Sequence, residues 1–377
     1  MVKIVSVVSR MNVGGVATVL LGFIESLDQN FFEHTLITGV CEENEIDLVS
    51  KTDFKVNIVY LPRMKKSISL ISDLIIIYQI RKILRELNPD IVHTHTSKAG
   101  FVGRVSALTL FKKPYLVHSF HGHVLSGYFS KLKSILFLGI EKLLSTKTDI
   151  LVADSKHVKS DLLAKGIGNN SVWKVVPPGI RKQPIIDLDT VRDQLLIPRE
   201  VFLICWIGRF TKIKDPFLAV ESFVKFEQKA SKKVCLLMVG DGELFEPVNN
   251  LVKQINSNIK LVGWKTNVSA YLAVADLLLL TSLNEGFGLV VAEAGWYGKP
   301  TLSTKSGGVN EFINDGVTGF LVGSKPVQIA TTMLKLHNDQ KLLTEVGKKA
   351  KAQTMESYSS EIFAKKHQQI YLNLIMH

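Results

Sequence analysis

Residues 282–299 read SLNEGFGLVVAEAGWYGK. They follow an apolar run, Leu277 to Leu280, that reads as a strand buried on both faces. Gly286 and Gly288 flank Phe287, so the backbone can bend sharply there and approach a ligand closely. A helix is expected from Gly288 or Leu289. Its first N–H groups would point back at the loop as a ready anion site. Glu285 sits in the loop, and Glu293 lies eight residues on, about two helical turns along. Strand, glycine turn, helix N-terminus and two carboxylates form one βα unit suited to an anionic, hydroxyl-rich ligand such as a sugar nucleotide.

The same unit recurs in both directions. Lys3–Val8 is mostly β-branched and ends in Asn12-Val13-Gly14-Gly15, with a helical pattern over Val16–Leu27. Only that glycine doublet is present, so the dinucleotide fingerprint G-x-G-x-x-G is missing and a nicotinamide enzyme is disfavoured. Further strands are expected at His34–Thr38, Val56–Tyr60, Asp90–Thr94, Tyr115–Ser119, Asp149–Ala153 and Val172–Val176. Helical patterns at Leu70–Leu87, Ala99–Leu110, Lys131–Ser145 and Ser155–Lys165 separate them. After Pro177-Pro178-Gly179 the pattern fades, and residues 181–200 read as a linker. A second series starts at Phe202–Ile207, and Asp215-Pro216 looks like an N-cap followed by proline at the first helical position. Strands at Val234–Val239, Lys260–Val262, Asp276–Leu280 and Thr301–Ser303 follow, then helices over Val327–Asn338, Lys341–Lys351 and Ser360–Leu374. The class is therefore α/β, with two doubly wound domains, 1–180 and 201–358, facing across a cleft. Residues 359–377 form a terminal helix that can cross back to the first domain.

A length of 377 residues fits two domains, and an apolar share of 46% fills two cores. No apolar run reaches the roughly 18–20 residues of a membrane span. Cys41, Cys205 and Cys235 are scattered without metal spacing, which fits a reducing cytoplasm. The net charge of +12 is concentrated in the first half, where residues 1–185 carry 24 Lys/Arg against 15 Asp/Glu. Such a surplus is a solvated basic surface, or it faces an anionic membrane, a phosphate-bearing acceptor or nucleic acid. No basic helix with interleaved aromatics supports nucleic acid. Residues 124–147 mix aromatic and aliphatic side chains with Lys131, Lys133, Lys142 and Lys147, as either a half-buried helix or an amphipathic helix on an anionic membrane would.

Carboxyl-end loops are where an open α/β sheet binds ligands, and several reactive side chains fall there. His93, His95 and Lys98 sit at the end of one strand; Ser119, His121, Gly122 and His123 sit at the end of another. Two H-x-H pairs with no Cys or Glu partner close by are a weak metal signal, so no metal is expected. Gly122 leaves room for a ligand beside His121. In the second half Arg209 and Lys214 can converge on a diphosphate without a metal. Glu285 and Glu293 could be a hydrolase acid/base pair, but Glu293 could equally hold a ribose diol. Asp187-Leu188-Asp189 mimics a D-x-D metal signature, but it lies away from any strand end and reads as chance.

Taken together these residues resemble the retaining family-4 glycosyltransferases, whose fold is GT-B. The matches are Gly14-Gly15, Ser119-Phe120-His121-Gly122, Val176-Pro177-Pro178-Gly179-Ile180, Gly208-Arg209 with Lys214, Glu285-Gly286-Phe287-Gly288 with Glu293, and Ser306-Gly307-Gly308-Val309-Asn310-Glu311. Arg181 stands where the family usually has Asp. The segments His93–Gly100 and His121–Ser130 resemble a subgroup that builds surface polysaccharides. The resemblance implies a UDP-linked sugar donor held mainly by the second domain. Arg209 and Lys214 would take the diphosphate, helped by backbone N–H groups near Leu289 and Val290. Glu293 would take the ribose and Glu285 the sugar hydroxyls, with Gly14, Gly15, Gly286, Phe287 and Gly288 around the donor. The base would lie near Gly240, Gly242, Gly263 and Trp264; His121 would approach the anomeric centre, and His95, Lys98 and His123 the acceptor. It also implies a lipid-linked or glycan acceptor, no cofactor, and a cytoplasmic enzyme with a possible place at the inner face of the plasma membrane. A sugar-nucleotide epimerase and a glycosidase are the rival readings.

Overall fold

The computed structural model describes residues 1–43, 45–51, 57–65, 69–122 and 131–376. The chain divides into two compact units, Met1–Arg181 with Ser360–His377, and Lys182–Ser359. Both are parallel sheets with crossover helices.

The first unit contains β1 (Val2–Arg10), β2 (Phe32–Gly39), β3 (Asn57–Leu61), β4 (Ile91–His95), β5 (Tyr115–Phe120), β6 (Ile150–Ala153) and β7 (Trp173–Val175). Their spatial order is β3-β2-β1-β4-β5-β6-β7. The second contains β8 (Phe202–Ile207), β9 (Val234–Val239), β10 (Ile259–Leu261), β11 (Leu277–Leu280), β12 (Thr301–Thr304) and β13 (Phe320–Val322), in the order β10-β9-β8-β11-β12-β13. The order reverses between β1 and β4 in one sheet and between β8 and β11 in the other. In open α/β sheets such switch points open a crevice outside the carboxyl ends of the strands.

The strands are apolar along their length because both faces are covered: every residue of β8, β9 and β11 is buried. An aspartate just before three of the strands pins the neighbouring strand's start. Asp90 accepts from the Lys3 N–H at 2.8 Å, Asp149 from Leu116 at 2.7 Å and Asp276 from Leu203 at 2.7 Å. Each satisfies a backbone donor at the sheet's amino edge and helps fix the register.

Residues 181–200 are not a featureless linker. Lys182 onward belongs to the second unit, and Leu188–Gln194 is a helix. Arg192 anchors it by donating to the carbonyls of Pro198, Val201 and Val274 at 3.1, 3.1 and 3.0 Å. Asp187 caps the helix and Asp189 pairs with Arg199 at 2.6 Å, so the D-x-D pair serves local structure. Arg181 forms a bidentate pair with Glu25 at 2.7 and 2.6 Å. The sequence reading does not name the helices Phe245–Gln254, Val268–Val274 and Val309–Phe312 or strand β13; the last three are too short for a full hydrophobic period, whereas Phe245, Val248, Leu251 and Val252 do stand at helical spacing.

The terminal helix Ser360–Met376 packs on the first unit against Gly15–Glu25. Phe23 meets Phe363 and Tyr371 edge-on, and a Cβ at Gly22 would fall 2.4 Å from Ser360 Oγ. The Tyr371 hydroxyl reaches His93 Nδ1 at 2.6 Å.

Candidate active site

In the second unit the loop after β8 is fastened to the end of β11. Trp206 donates its indole N–H to Thr281 Oγ1 at 3.0 Å, and the Thr281 hydroxyl lies 3.0 and 2.8 Å from the carbonyls of Lys214 and Asp215. Asp215, at φ 45°, accepts from the Leu218 N–H and starts the helix Pro216–Glu227. Lys214 is thereby aimed across the switch point. Its Nζ contacts Glu285 Oε1, which also accepts from Ser282 Oγ at 2.6 Å. The pair is largely sheltered, with side-chain exposures of 22% for Lys214 and 10% for Glu285. The backbone of the Glu285 loop is held from three sides: Leu283 N–H to Ile213, Thr304 hydroxyl to the Ser282 carbonyl, and Gly308 N–H to the Glu285 carbonyl.

Gly288 has φ 83°, and a Cβ there would sit 2.7 Å from Val309. A left-handed residue in that tight space must be glycine. It opens the helix Leu289–Trp296, which has no side-chain cap. The N–H groups of Leu289 and Val290 therefore have no partner within the helix and point toward the loop. Phe287 differs from the expectation. Its side chain is buried edge-on to Phe312 at 5.3 Å and beside Tyr358, so it packs the core and only its backbone faces the loop. Glu293 is half-buried, and burial pushes its carboxyl up to about 7.

The loops after β8, β9 and β10 lie side by side. Gly240, at φ 139°, passes so close to Gly208 that a Cβ would be 1.9 Å from the Gly208 carbonyl oxygen. Gly240 N–H donates to the Gly263 carbonyl, and Phe210 N–H to the Asp241 carbonyl, both at 2.9 Å. Gly242 packs on Phe210, whereas Gly263 has open space around it and Trp264 is exposed. Arg209 is exposed on the same set of loops.

In the first unit Gly14 and Gly15 are exposed at the end of β1. Gly14 is extended, and its nearest neighbour to a Cβ would be Asn12 O at 3.7 Å, so the chain itself does not demand glycine there. His95 and His121 close β4 and β5. His95 Nδ1 lies 3.0 Å from His121 Nε2, and Asp154 Oδ1 is 3.5 Å from His121 Nδ1. Asp154, at the end of β6, was not singled out by the sequence reading; its signal was an acid at a strand's carboxyl end just before the Ser155 N-cap. Burial holds His93, His95 and His118 well below the usual imidazole range, so they are neutral. His95 Nδ1 and His121 Nε2 are within hydrogen-bond distance, and which of them donates depends on the tautomers. His93 is not a strand-end ligand but a buried link between Ser119 and Tyr371. Lys98 is paired with Asp73 at 2.8 Å, both nearly buried, which ties it to the helix Leu70–Leu87. His123 lies outside the described residues. Among the described residues no three His, Cys, Asp or Glu side chains converge as metal ligands do.

Two family models cover most of the chain. Glycosyltransferase family 4 matches residues 13–183, and glycosyl transferases group 1 matches residues 187–353. An Escherichia coli UDP-Gal:alpha-D-GlcNAc-diphosphoundecaprenol alpha-1,3-galactosyltransferase is 26% identical, over 100% of this chain and 98% of its own. A Staphylococcus aureus capsular polysaccharide biosynthesis glycosyltransferase, CapM, is 24% identical over 83% of this chain and 84% of its own. Among solved structures, Anabaena HepE in complex with UDP and glucose superposes with a TM-score of 0.81 at 20% identity, covering 99% of this chain and 100% of that one.

Proposed function

The chain belongs to the family 4 and group 1 glycosyltransferases with the GT-B fold, and from that premise we propose the reaction it carries out. It moves a hexose or N-acetylhexosamine from UDP to a lipid-linked glycan, in the assembly of a surface polysaccharide, with retention at the anomeric carbon. The E. coli relative is named for a UDP-sugar donor and a diphosphoundecaprenol acceptor, and the S. aureus relative for capsule synthesis. One observation carries the donor half of this reading: Lys214, Glu285 and the uncapped N-terminus of Leu289–Trp296 meet at the switch point of the second sheet.

The roles follow from charge. Cleaving the sugar C1–O bond leaves positive charge on the sugar and negative charge on the departing diphosphate. Arg209, Lys214 and the Leu289 and Val290 N–H groups are the donors assigned to that diphosphate, and they supply the countercharge without a metal. Fixed groups stabilise such charge most when it is fully developed, in the transition state. Lys214 is matched to Glu285 before any donor arrives, so the lysine is held extended and aimed, and the diphosphate would share or take it. Glu285 then turns to the sugar hydroxyls. Glu293 is assigned to the ribose diol and the Gly263–Trp264 turn to the base. His121, buttressed by His95 and Asp154, is assigned to the transferred sugar. In our version the departing phosphate takes the acceptor proton on the face it leaves, so no enzyme base is required.

Screening nucleotide sugars for UDP release, with and without lipid-linked acceptors, tests the reaction; donor turnover that never depends on an acceptor would overturn it. Calorimetry tests the site. Lys214→Ala removes a charge-assisted contact worth about 1.5–3 kcal/mol, so UDP affinity should fall roughly 10- to 150-fold. Glu285→Gln should keep most UDP affinity and lose turnover, and equal UDP losses in both variants would reject the division of roles.

A further inference from the structure

We propose that the outer face of the helix Leu70–Leu87 seats this protein on an anionic lipid bilayer. The proposal deepens the lipid-linked acceptor reading, and rests on it only for what the bilayer would carry. The helix buries Asp73, Ile76, Ile80 and Leu84 against the first unit's core. Its opposite stripe should be polar if it faced only water. Instead Leu70, Ile71, Leu74 and Tyr78 are 82%, 76%, 67% and 65% exposed. Single exposed apolar side chains are ordinary, but four on one stripe form a patch that asks for a partner. Beyond Tyr78 the stripe turns cationic, with Arg81, Lys82 and Arg85 all exposed.

The topology widens the patch. The crossovers β3→β4, β4→β5 and β5→β6 all advance in one direction across the sheet, so right-handedness puts their three helices on one face. The helix Ser97–Leu108 is the middle one. The Lys98–Asp73 pair ties it to Leu70–Leu87, and the buried Arg104–Glu141 pair ties it to Lys131–Ser145. Crossover helices run antiparallel to their strands, so their N-terminal halves lie at the sheet's carboxyl edge. Ile135 and Leu136, 67% and 65% exposed, therefore share that edge with Leu70, Ile71 and Leu74.

Charge selects the occupant. From Arg63 to Lys147 the chain carries 14 Lys/Arg and 4 Asp/Glu. Three of those acids are used internally: Asp73 by Lys98, Glu141 by Arg104, and Asp90 by the Lys3 N–H. Lys98 and Arg104 are used in the same pairs, and of the acids only Glu86 is left to offset the nine exposed Lys/Arg among the described residues of that span. A second copy docked about a two-fold axis would set those cations against themselves. An anionic bilayer accepts both halves, the apolar end in the acyl boundary and the basic end among the headgroups. No described helix is long and apolar enough to cross a membrane, so the helix would lie in the interfacial plane.

Flotation of the full chain with phosphatidylglycerol–phosphatidylcholine vesicles, and with phosphatidylcholine alone, tests the proposal. Wild type should float with the anionic vesicles only, and less as salt is raised. Ile71→Ser/Leu74→Ser/Tyr78→Ser should weaken that binding roughly tenfold or more, since it removes most of the inserting apolar area. UDP affinity and melting temperature should not move, because these side chains are exposed. Arg81→Glu/Lys82→Glu/Arg85→Glu should weaken anionic-vesicle binding as well and stands independently of the first variant. Wild type that ignores anionic vesicles, or variants that bind like wild type, would overturn the proposal. So would a wild-type dimer that the serine variant converts to monomer, since the patch would then belong to a second copy. Failure of the acceptor reading is scored separately, by acceptor-dependent UDP release in detergent without vesicles.

Discussion

Glu293 shows how one residue's burial can be read out in solution. Burial lifts its carboxyl to about 7 from an ordinary value of 4.5. A carboxyl raised on folding stabilises nothing when ionised. Its penalty is absent below the unfolded value and fully present above the folded one. Between pH 4.5 and 7 the folded chain holds a proton that the unfolded chain has released, so rising pH costs stability, up to about 3 kcal/mol by pH 8. Glu293→Gln should therefore melt higher than wild type at pH 8 and nearly level with it at pH 4.5. A melting difference that does not change with pH would show that the side chain is ordinary. The ligand reading adds a second expectation. An ionised carboxylate accepts from both ribose hydroxyls, whereas a protonated one must give up part of that capacity. The preference for UDP over 2′-deoxy-UDP should grow several-fold from pH 6 to pH 8, and Glu293→Gln should abolish that growth. The spacing from Glu285 to Glu293 was legible in the sequence, but the burial was not. Nor was the inward turn of Phe287, because its partners Phe312 and Tyr358 are 25 and 71 residues away.

Glycines at the ends of strands divide into two kinds that the sequence does not distinguish. Gly240 combines φ 139° with a backbone carbonyl 1.9 Å from where a Cβ would be, because the loops after β8 and β9 cross there. Gly240→Ala should cost more than about 3 kcal/mol or prevent folding of the second unit, measured by denaturant unfolding. Gly14 is extended, exposed and roomy, so Gly14→Ala should leave stability unchanged or raise it by about 0.4–1 kcal/mol. If the donor approaches that backbone, the same variant should lose kcat/KM despite its sound fold; full activity would remove Gly14 from the site. Most elements with a long, regular pattern were legible to within a residue or two, although the helix expected over Lys341–Lys351 runs on to Ser357. Leu70–Leu87 and Val234–Val239 are found at their expected bounds. The helix Leu188–Gln194 was not, because seven residues with no buried side chain give no period; it is held by Arg192 and the Asp187 cap instead. What could not be read was pairing across the sheet. The Asp154–His121–His95 series joins three separate strand ends, and only strand order brings them together.

Acid costs the first unit more than the second. Of ten histidines only His337 belongs to the second unit, where burial lowers it as well. In the first, His93, His95, His118 and His367 are buried and His34 is half-buried, and desolvation lowers each of them, His34 to about 3 and His367 to about 4. A histidine depressed on folding contributes stability above its unfolded value near 6.5 and loses it as pH falls toward the folded value. For His367 alone that loss approaches about 3 kcal/mol by pH 4, against a typical domain stability of about 5–15 kcal/mol. Protonation strikes where the terminal helix is fastened, since His367 stacks on His93, and His93 meets Tyr371. Over the same range Glu293 takes up its proton and relieves the second unit of a penalty. Hydrogen exchange at pH 5 compared with pH 7 should show protection falling in β4, β5 and Ser360–Met376 while β8, β9 and β11 hold. Trp173 should become exposed before the buried Trp206, which selective replacement of either tryptophan would resolve by fluorescence. A single transition that strips both units together below pH 4 would mean the buried histidines do not set the acid limit. Separate transitions would locate that limit in the unit to which the acceptor is assigned and leave nucleotide binding in the other, so UDP affinity should outlast transfer as pH falls.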